Sequence, residues 1–352
     1  MSPGQPPPSE AWVERFAALP KAELHVHLEG TIEPATVVAL AKKYGDVLDD
    51  AAVAARYATR EFAAFIEAYK WVTSYLRAPA DYALVASRLA EQWVAQNVVY
   101  AEGTLSIGVM LLRKQDVAAN FRAIREAIAP YESRGLQVQW IFDVVRQFGA
   151  AAAYEVARCA VELRSEGVIA FGMGGDELSH PAAEFRDGYD YAAAHGLHRI
   201  AHAGEIGGPD SVRDAVNFLG AERIGHGIAA AADPELMALL AERAITLEVC
   251  PTSNLRTGAL ERYVGHANAT LADHPLPRLL RAGVPICIST DDPAMFDTSL
   301  AVEFSALGRM GLSASDAMKL AEGGFRAAFL PPDRKAALLQ AFHAKAKAFG
   351  LL

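Results

Sequence analysis

Short apolar or β-branched runs alternate with Ala- and Leu-rich helical stretches along almost the whole chain. Strands that alternate with helices run parallel, because each helix carries the chain back to the start of the next strand. Eight such strands close most simply into an α/β fold of the (β/α)8 TIM barrel type. An open doubly wound sheet is the competing arrangement, but no predicted strand is followed by a G-x-G-x-x-G turn. The predicted strands are Ala22–Leu28, Val98–Ser106, Val138–Val145, Val168–Met173, Arg199–Ala203, Arg223–His226, Thr246–Cys250 and Pro285–Thr290.

Two helical regions extend beyond this alternation. The segment from about 36 to 96 is predicted as a helical insertion after the first strand, and Ala301–Leu352 as two or three extra C-terminal helices. Within the insertion, Arg60–Leu76 carries an apolar face at helical spacing, formed by Phe62, Phe65, Ile66, Tyr69 and Val72. We interpret this face either as an ordinary buried helix face or as a lid over the barrel mouth.

The composition favours a protein without a nucleic-acid or membrane partner. The 352 residues carry a formal net charge of −9 with no cluster of Lys and Arg. No apolar run reaches the roughly 18 residues of a membrane helix, and three cysteines are too few for a disulfide framework. Residues 1–10 have no signal-peptide pattern; their prolines predict a disordered tail before a single domain at 11–352. We expect a cytoplasmic protein that binds a small molecule, with its oligomeric state left open.

Residue types that bind metals or transfer protons gather at the carboxyl ends of the predicted strands, where the active site of such a barrel lies. Alternate residues of a strand point to opposite faces, which directs His25 and His27 of the first strand into the barrel. The same rule points Asp291 inward after the eighth strand, whereas Asp292 must reach the barrel mouth by another route. The other strand-end groups are His202, Glu205 and His226.

Three imidazoles and one carboxylate from separate strands predict a metal site. Neutral nitrogens with one carboxylate suit Zn²⁺ and leave a position for water, although other divalent ions could use the same ligands. Zinc lowers the pKa of its water to roughly 7 and so supplies hydroxide at neutral pH. Glu23 and Glu248 also point inward, either to orient these histidines or as ordinary buried hydrogen-bonding groups. The remaining histidines, His274 among them, are interpreted as surface or packing residues. The predicted ligands are His25, His27, His202 and Asp291.

Six motifs include these residues and resemble those of the adenosine deaminase family in order and approximate spacing. The resemblance covers nearly the whole chain from Pro20. It implies one zinc ion per chain in a (β/α)8 barrel, and hydrolytic deamination of adenosine or a 5′-modified adenosine to the inosine analogue plus ammonia. The motifs are PKAELHVHLEG (Pro20–Gly30), GGDE (Gly174–Glu177), HAGE (His202–Glu205), GHG (Gly225–Gly227), EVCPTSN (Glu248–Asn254) and STDDPAMF (Ser289–Phe296).

The resemblance also implies a role for each site residue. His226 would orient and deprotonate the zinc-bound water. Glu205 would protonate the purine nitrogen beside the amino-bearing carbon, for which a raised pKa is expected. Asp292 would hold the far side of the purine, and the backbone N–H of Gly175 would bind another ring nitrogen. The zinc ligands would be His25, His27, His202 and Asp291.

The predicted substrate contact at Glu29 departs from many adenosine deaminases. They carry an aspartate there, in HLDG, which resembles a binder of the ribose 5′-hydroxyl; glutamate is longer and reaches differently. HLEG also occurs in relatives that resemble adenine deaminases, but those typically have a serine-containing motif in place of GGDE, which this chain retains. A third group acts on aminodeoxyfutalosine, an adenosine with an extended 5′ substituent used in menaquinone synthesis. Aminodeoxyfutalosine and adenine are therefore the alternative substrates.

Other classes of protein compete with this interpretation. A two-metal barrel amidohydrolase would usually carry a carboxylated lysine at the end of the fourth strand, where residues 172–177 contain no lysine. A non-catalytic relative is disfavoured because every residue assigned a chemical role is present. Cytidine-type deaminases use a P-C-x-x-C zinc motif, which Cys250-Pro251 does not provide.

Overall fold

The computed structural model describes residues 10–58 and 61–352, and its eight parallel strands follow one another around the barrel in chain order. The seam between the last strand and the first is bridged by Val26 and Asp291. There His27 N donates to the Asp291 carbonyl at 2.9 Å, and Asp291 N donates to the His25 carbonyl at 3.0 Å. The predicted TIM barrel is therefore confirmed. The strands are β1 (Lys21–His27), β2 (Val98–Leu105), β3 (Gln137–Val145), β4 (Val168–Gly174), β5 (His198–Ala203), β6 (Arg223–His226), β7 (Thr246–Val249) and β8 (Ile286–Ile288).

Helices connect the strands and form the outer layer of the barrel. Several begin at a capping carboxylate; Asp116 accepts from Ala119 N at 3.0 Å, and Asp233 accepts from Leu236 N at 3.0 Å, each in the first turn of a helix. The α-helices are α1 (Glu10–Ala17), α2 (Pro34–Lys43), α3 (Asp50–Tyr57), α4 (Phe62–Thr73), α5 (Pro79–Ala95), α6 (Ile107–Leu112), α7 (Val117–Glu132), α8 (Gly149–Glu162), α9 (Arg186–Ala194), α10 (Pro209–Phe218), α11 (Pro234–Glu242), α12 (Pro251–Arg256), α13 (Ala259–Val264), α14 (Leu276–Arg281), α15 (Pro293–Phe296), α16 (Leu300–Ala306), α17 (Ala314–Ala327) and α18 (Pro332–Ala348).

The predicted strands lie at the observed positions, with small differences at their ends. The sixth matches at both ends, whereas the eighth was expected at Pro285–Thr290 and covers only Ile286–Ile288. Pairing with β7 ends at Ile288, and the chain then reaches β1 through Asp291, whose φ of +66° breaks the extended conformation.

The additional helices lie where the sequence predicts them. Helices α2 to α5 separate β1 from β2, and α16 to α18 follow β8. The predicted tail at 1–10 lies outside the described residues except at Glu10, where α1 begins, and the single domain at 11–352 stays a prediction. No helix within 10–58 and 61–352 is long and apolar enough to cross a membrane.

The barrel interior contains buried charges as well as apolar side chains. Towards the amino ends of the strands, Ile141, Ala170 and Ile200 form a small apolar cluster. Beside them the buried guanidinium of Arg223 pairs with Glu102 at 2.5 Å and with Glu248 at 2.6 Å. Glu248 extends this pairing towards the carboxyl ends of the strands, where the candidate site lies.

Candidate active site

The four predicted metal ligands converge at the carboxyl ends of β1, β5 and β8. His25, His27, His202 and Asp291 are buried, and their ligand atoms all lie within 4.8 Å of one another. Asp291 Oδ1 is 3.3 Å from both His25 Nε2 and His27 Nε2. His27 Nε2 is 3.2 Å from His202 Nε2. One ion placed among these atoms could contact all of them.

Neighbouring groups orient the ligand side chains towards this point. His25 Nδ1 is 2.7 Å from Glu248 Oε2, and His202 Nδ1 donates to the Met173 carbonyl at 3.0 Å, so both rings direct Nε2 into the cluster. Ser253 Oγ donates to Asp291 Oδ2 at 2.7 Å, which leaves Oδ1 facing the histidines. Of the two inward-facing glutamates, Glu248 thus contacts a candidate ligand directly.

Glu23 has a different environment from Glu248. Its carboxylate accepts hydrogen bonds from Trp93 Nε1 and Thr290 Oγ1, both at 2.6 Å. It therefore ties the insertion helix α5 to the loop after β8. Glu248, by contrast, lies beside Arg223. Burial opposes the ionisation of Glu248, but the positive charge of Arg223 holds the pKa of this carboxyl below its ordinary value.

The donor set fits a divalent metal ion. His25 Nε2 is buried and has no hydrogen-bond partner among the described residues, so it is free to ligate. Two imidazole nitrogens 3.2 Å apart, with a carboxylate oxygen beside them, leave electron pairs that a shared cation would satisfy. Three histidines and one carboxylate are typical ligands of Zn²⁺.

Glu205 reaches the site through a tight turn after β5. Gly204 has φ +70°, a conformation that glycine adopts readily. The carboxylate of Glu177 accepts from Gly204 N at 2.7 Å, Glu205 N at 2.8 Å and Ile206 N at 3.0 Å. It also accepts from Ser211 Oγ at 2.6 Å. Glu177, the last residue of GGDE, therefore fixes the turn that carries Glu205.

Glu205 and His226 face each other beside the metal-ligand cluster. His226 Nε2 lies 3.6 Å from Glu205 Oε2 and 3.8 Å from Asp291 Oδ2. His226 is the last residue of β6 and has φ +61°, an uncommon conformation for a residue with a side chain. Burial lowers the pKa of His226 to about 4. Burial, together with the charge of Asp291, raises the pKa of Glu205 to about 8, so this carboxyl retains a proton at neutral pH.

Asp292 reaches the barrel mouth beside a required glycine. A Cβ on Gly30 would lie 1.8 Å from Asp292 Oδ1, so only glycine allows this approach. Asp292 Oδ1 is buried and has no hydrogen-bond partner in the part of the chain that the structure describes. Burial, and then the charge of Asp291, raise the pKa of Asp292 well above its ordinary range. Asp292 is therefore available to bind a polar group.

A cavity of about 330 Å³ opens from this cluster towards solvent. His27, His202, His226, Glu205, Asp291 and Asp292 line its inner end. Gly175, with φ +94°, also lines it; a Cβ there would lie 2.4 Å from Gln147 Oε1. Four residues of the apolar face predicted at Arg60–Leu76 form part of its wall, namely Phe62, Phe65, Ile66 and Tyr69. The fifth, Val72, is fully buried in the core.

Glu29 lies behind the cavity wall rather than among the lining residues. Its Oε1 accepts from Ser106 N at 3.0 Å, and its Oε2 accepts from Tyr69 Oη at 3.3 Å. Tyr69 Oη is also 2.9 Å from Ser106 Oγ, and both of these residues line the cavity. A direct contact between Glu29 and substrate stays a prediction.

Three polar residues at the site were not singled out from the sequence. Asp143, at the end of β3, lines the cavity, and burial raises its pKa to about 7. Asn254 and His274 are buried beside His226. An acidic residue within the apolar run of β3 was the available signal for Asp143. Asn254 and His274 follow no strand end, so strand parity does not reveal them.

Comparisons with known proteins agree with this geometry. The sequence model of the adenosine deaminase family matches residues 20–345. An aminodeoxyfutalosine deaminase of Streptomyces coelicolor is 40% identical, with 91% of this chain and 83% of the relative covered. An adenine deaminase of the same organism is 34% identical, with 90% and 92% covered.

A solved structure shares the fold. It is an amidohydrolase from Burkhoderia ambifaria with bound zinc, related by a TM-score of 0.85 and 27% identity over 97% of this chain and 95% of the other. The fold, the convergent histidines and aspartate, and the match over 20–345 all point to one family. The chain is a hydrolase that acts on C–N bonds in amidines, and it belongs to the adenosine deaminase family.

Proposed function

We propose that this protein hydrolytically deaminates aminodeoxyfutalosine, with zinc as its metal, and releases ammonia. The observation that carries the proposal is one cavity with two chemically different ends. The inner end holds the candidate metal ligands and acid–base groups, and the outer wall is largely apolar and aromatic. Deamination requires the groups at the inner end, and an extended 5′ substituent would lie against the outer wall.

The inner end provides the groups that deamination requires. When bound to the four ligands, zinc would activate water as the nucleophile. Glu205, buried and protonated at neutral pH, is positioned to donate its proton to the ring nitrogen as aromaticity is lost. His226 Nε2, 3.6 Å from Glu205 Oε2, faces the position of the attacking oxygen. Together these groups supply the nucleophile, the proton and an oxygen contact.

Asp292 and Gly175 are proposed to orient the purine. Burial and the charge of Asp291 raise the pKa of Asp292, which favours its protonated form, and a protonated Asp292 would donate a hydrogen bond to a ring nitrogen. Its Oδ1 is buried and unpartnered in the described structure, and a bound purine would satisfy it. Gly175 lines the same cavity and would offer its backbone N–H to a second nitrogen.

The outer wall favours a substrate larger than a nucleobase. Phe62, Phe65, Val109, Leu112 and Phe148 line it, and adenine bound at the inner end would leave these side chains uncovered. Burying such surface stabilises a complex by about 25 cal/mol per Å². Lys70 and Arg113 also line the cavity, so a negatively charged group on the substituent would meet cations there. The higher identity to an aminodeoxyfutalosine deaminase, 40% against 34% for the adenine deaminase, agrees with this preference.

Adenine and unmodified adenosine are the competing substrates. Adenine is favoured by the similarity to an adenine deaminase over 90% of this chain. Adenosine would need a group that contacts its 5′-hydroxyl. Tyr69 and Ser106 line the cavity and are the candidates for this contact. The Glu29 carboxylate is not among the lining groups and already accepts hydrogen bonds from Tyr69 Oη and Ser106 N.

The test is ammonia release by the zinc-loaded enzyme from adenine, adenosine, 5′-deoxy-5′-methylthioadenosine and aminodeoxyfutalosine. We expect the highest kcat/KM for aminodeoxyfutalosine. A higher value for adenine or adenosine would refute the substrate assignment, and no release from any of them would refute deamination.

A matched pair of leucine variants tests the role of the outer wall. Leu112 lines the cavity and is 66% exposed, and Leu178 lies outside it and is 67% exposed. Leu112→Ala should lower kcat/KM for aminodeoxyfutalosine by roughly 5- to 10-fold and leave adenosine turnover nearly unchanged. Leu178→Ala should change neither. Equal effects of Leu112→Ala on both substrates would place the 5′ substituent elsewhere.

A further inference from the structure

A chain of hydrogen bonds leads from a backbone amide to His226. Leu276 N donates to His274 Nδ1 at 3.1 Å. His274 Nε2 is 3.2 Å from Asn254 Oδ1, and Asn254 Nδ2 is 3.1 Å from His226 Nδ1. His226, Asn254 and His274 are all buried, with exposed fractions of 1%, 0% and 4%, so solvent does not replace these partners.

The direction of every bond follows from its first donor. A backbone N–H can only donate, so His274 Nδ1 accepts and the proton of a neutral His274 lies on Nε2. That Nε2–H needs an acceptor, which places the amide oxygen of Asn254 towards His274. The amide nitrogen then faces His226 and donates to Nδ1. In neutral His226 the proton must therefore lie on Nε2.

The groups on the other side of His226 agree with this assignment. Nε2 faces Glu205 Oε2 at 3.6 Å and Asp291 Oδ2 at 3.8 Å. An N–H directed at the ionised carboxylate of Asp291 is attracted to it, whereas a bare lone pair would be repelled by its negative charge. Both ends of the imidazole thus favour the same tautomer.

We propose that Asn254 and His274 are positioning residues that hold His226 as the Nε2–H tautomer, so that His226 donates a hydrogen bond to the reacting oxygen. This differs from the role that family resemblance implies, in which the ring takes a proton from water. Here the proton of that water would leave to solvent before the attack, because a bound metal ion would lower the pKa of the water to roughly 7. A donor fixed before substrate binds can stabilise negative charge on that oxygen without reorganisation. The tautomer does not depend on the substrate; only its catalytic consequence rests on the proposed deamination.

The backbone fixes both positioning residues. Asn254 lies in α12, and its N–H donates to the Cys250 carbonyl at 2.9 Å. His274 lies between Asp273 and α14, and its N–H donates to the Leu271 carbonyl at 3.2 Å. Because neither side chain can easily move away, replacing single atoms should change the tautomer without moving the ring.

The first test reads the ring nitrogens of the zinc-loaded enzyme directly. In ¹⁵N-labelled protein, we expect His226 Nε2 to have the chemical shift of a protonated nitrogen and Nδ1 that of an unprotonated one. The signals are assigned by their loss in His226→Gln. A protonated Nδ1 in the wild-type enzyme would overturn the proposal, whatever the substrate assays show.

The second test reverses the tautomer with Asn254→Asp. This nearly isosteric change keeps an acceptor for His274 but places an oxygen against His226 Nδ1, which must then carry the proton. We expect the ¹⁵N shifts to exchange and kcat to fall on the order of 10²- to 10⁴-fold, with KM and zinc content nearly unchanged. Asn120→Asp, in a buried asparagine of α7 outside the cavity, is the matched control and should retain kcat. Unchanged shifts and kcat in Asn254→Asp would refute the assignment.

The third test separates hydrogen bonding from packing at His274. His274→Gln retains an N–H that can donate to Asn254 Oδ1, and should keep most of the wild-type kcat and the wild-type ¹⁵N shifts of His226. His274→Phe removes the donor, which frees the Asn254 amide to rotate and should produce both tautomers of His226. Equal kcat and equal shifts in the two variants would show that His274 has only a packing role.

Discussion

The carboxylate of Glu177 offers a quantitative test of how the fold positions the proposed proton donor. In Glu177→Gln, one acceptor oxygen becomes an amide nitrogen. The less costly orientation keeps the oxygen towards Glu205 N and Ile206 N, because Ser211 Oγ on the other side can rotate and accept from the new amide. Gly204 N, which now donates at 2.7 Å, then loses its acceptor.

The expected loss of stability follows from these four contacts. A buried hydrogen bond to a charged acceptor contributes about 2 kcal/mol, and weakening each of the other three by about 0.5 kcal/mol adds a similar amount. The free energy of unfolding should therefore fall by about 3–4 kcal/mol. Because the same turn carries Glu205, a shift of its carboxyl by about 1 Å should lower kcat on the order of 10²-fold.

Urea denaturation followed by tryptophan fluorescence measures the first quantity, and ammonia release measures the second. Glu126→Gln, an exposed glutamate on α7, is the matched control and should alter neither. If Glu177→Gln behaved like this control in both assays, the assignment of Glu177 as the residue that fixes the turn would be wrong.

Three further predictions concern the acid and the metal ligands. Glu205→Gln should lower kcat by on the order of 10²- to 10⁴-fold with metal content unchanged, and retained kcat would remove Glu205 from its role. Because burial raises the pKa of Glu205 to about 8, its proton is present below that pH and lost above it. Wild-type kcat/KM should therefore decline as the pH rises through about 8; a decline near the ordinary value of 4.5 would contradict this. His25→Ala should lose the metal measured by elemental analysis, whereas the exposed His266→Ala should retain it; full occupancy in His25→Ala would overturn that ligand assignment.

The barrel and the ligand cluster could be predicted because they depend on regular geometry. The period of two residues along β1 directs His25 and His27 to one side, and closure of eight strands brings them near His202 and Asp291. The prediction needed no knowledge of how the loops fold. The same regularity explains why most strand ends were predicted to within about two residues.

The rest of the site depends on loops, for which the sequence offers no equivalent rule. Strand parity ends at Gly204, so the contact between Glu177 and the turn at Glu205 appears only in three dimensions. Asn254 and His274 lie in a short helix and a loop, where spacing does not indicate a shared partner. Similarly, the motif predicts that Glu29 lies near the 5′ side of a substrate, but it does not indicate that the Glu29 carboxylate accepts a hydrogen bond from Tyr69 Oη.

The left-handed backbone of His226 and Asp291 has a consequence for redesign of this enzyme. At φ of +61° and +66°, each residue adopts a conformation that costs about 1–2 kcal/mol relative to the usual helical hand. Glycine would relieve that cost at both positions. Each replacement would also delete a buried side chain and its hydrogen bond, from Asn254 to His226 or from Ser253 to Asp291, so a redesign that relaxes this backbone would dismantle the reaction centre.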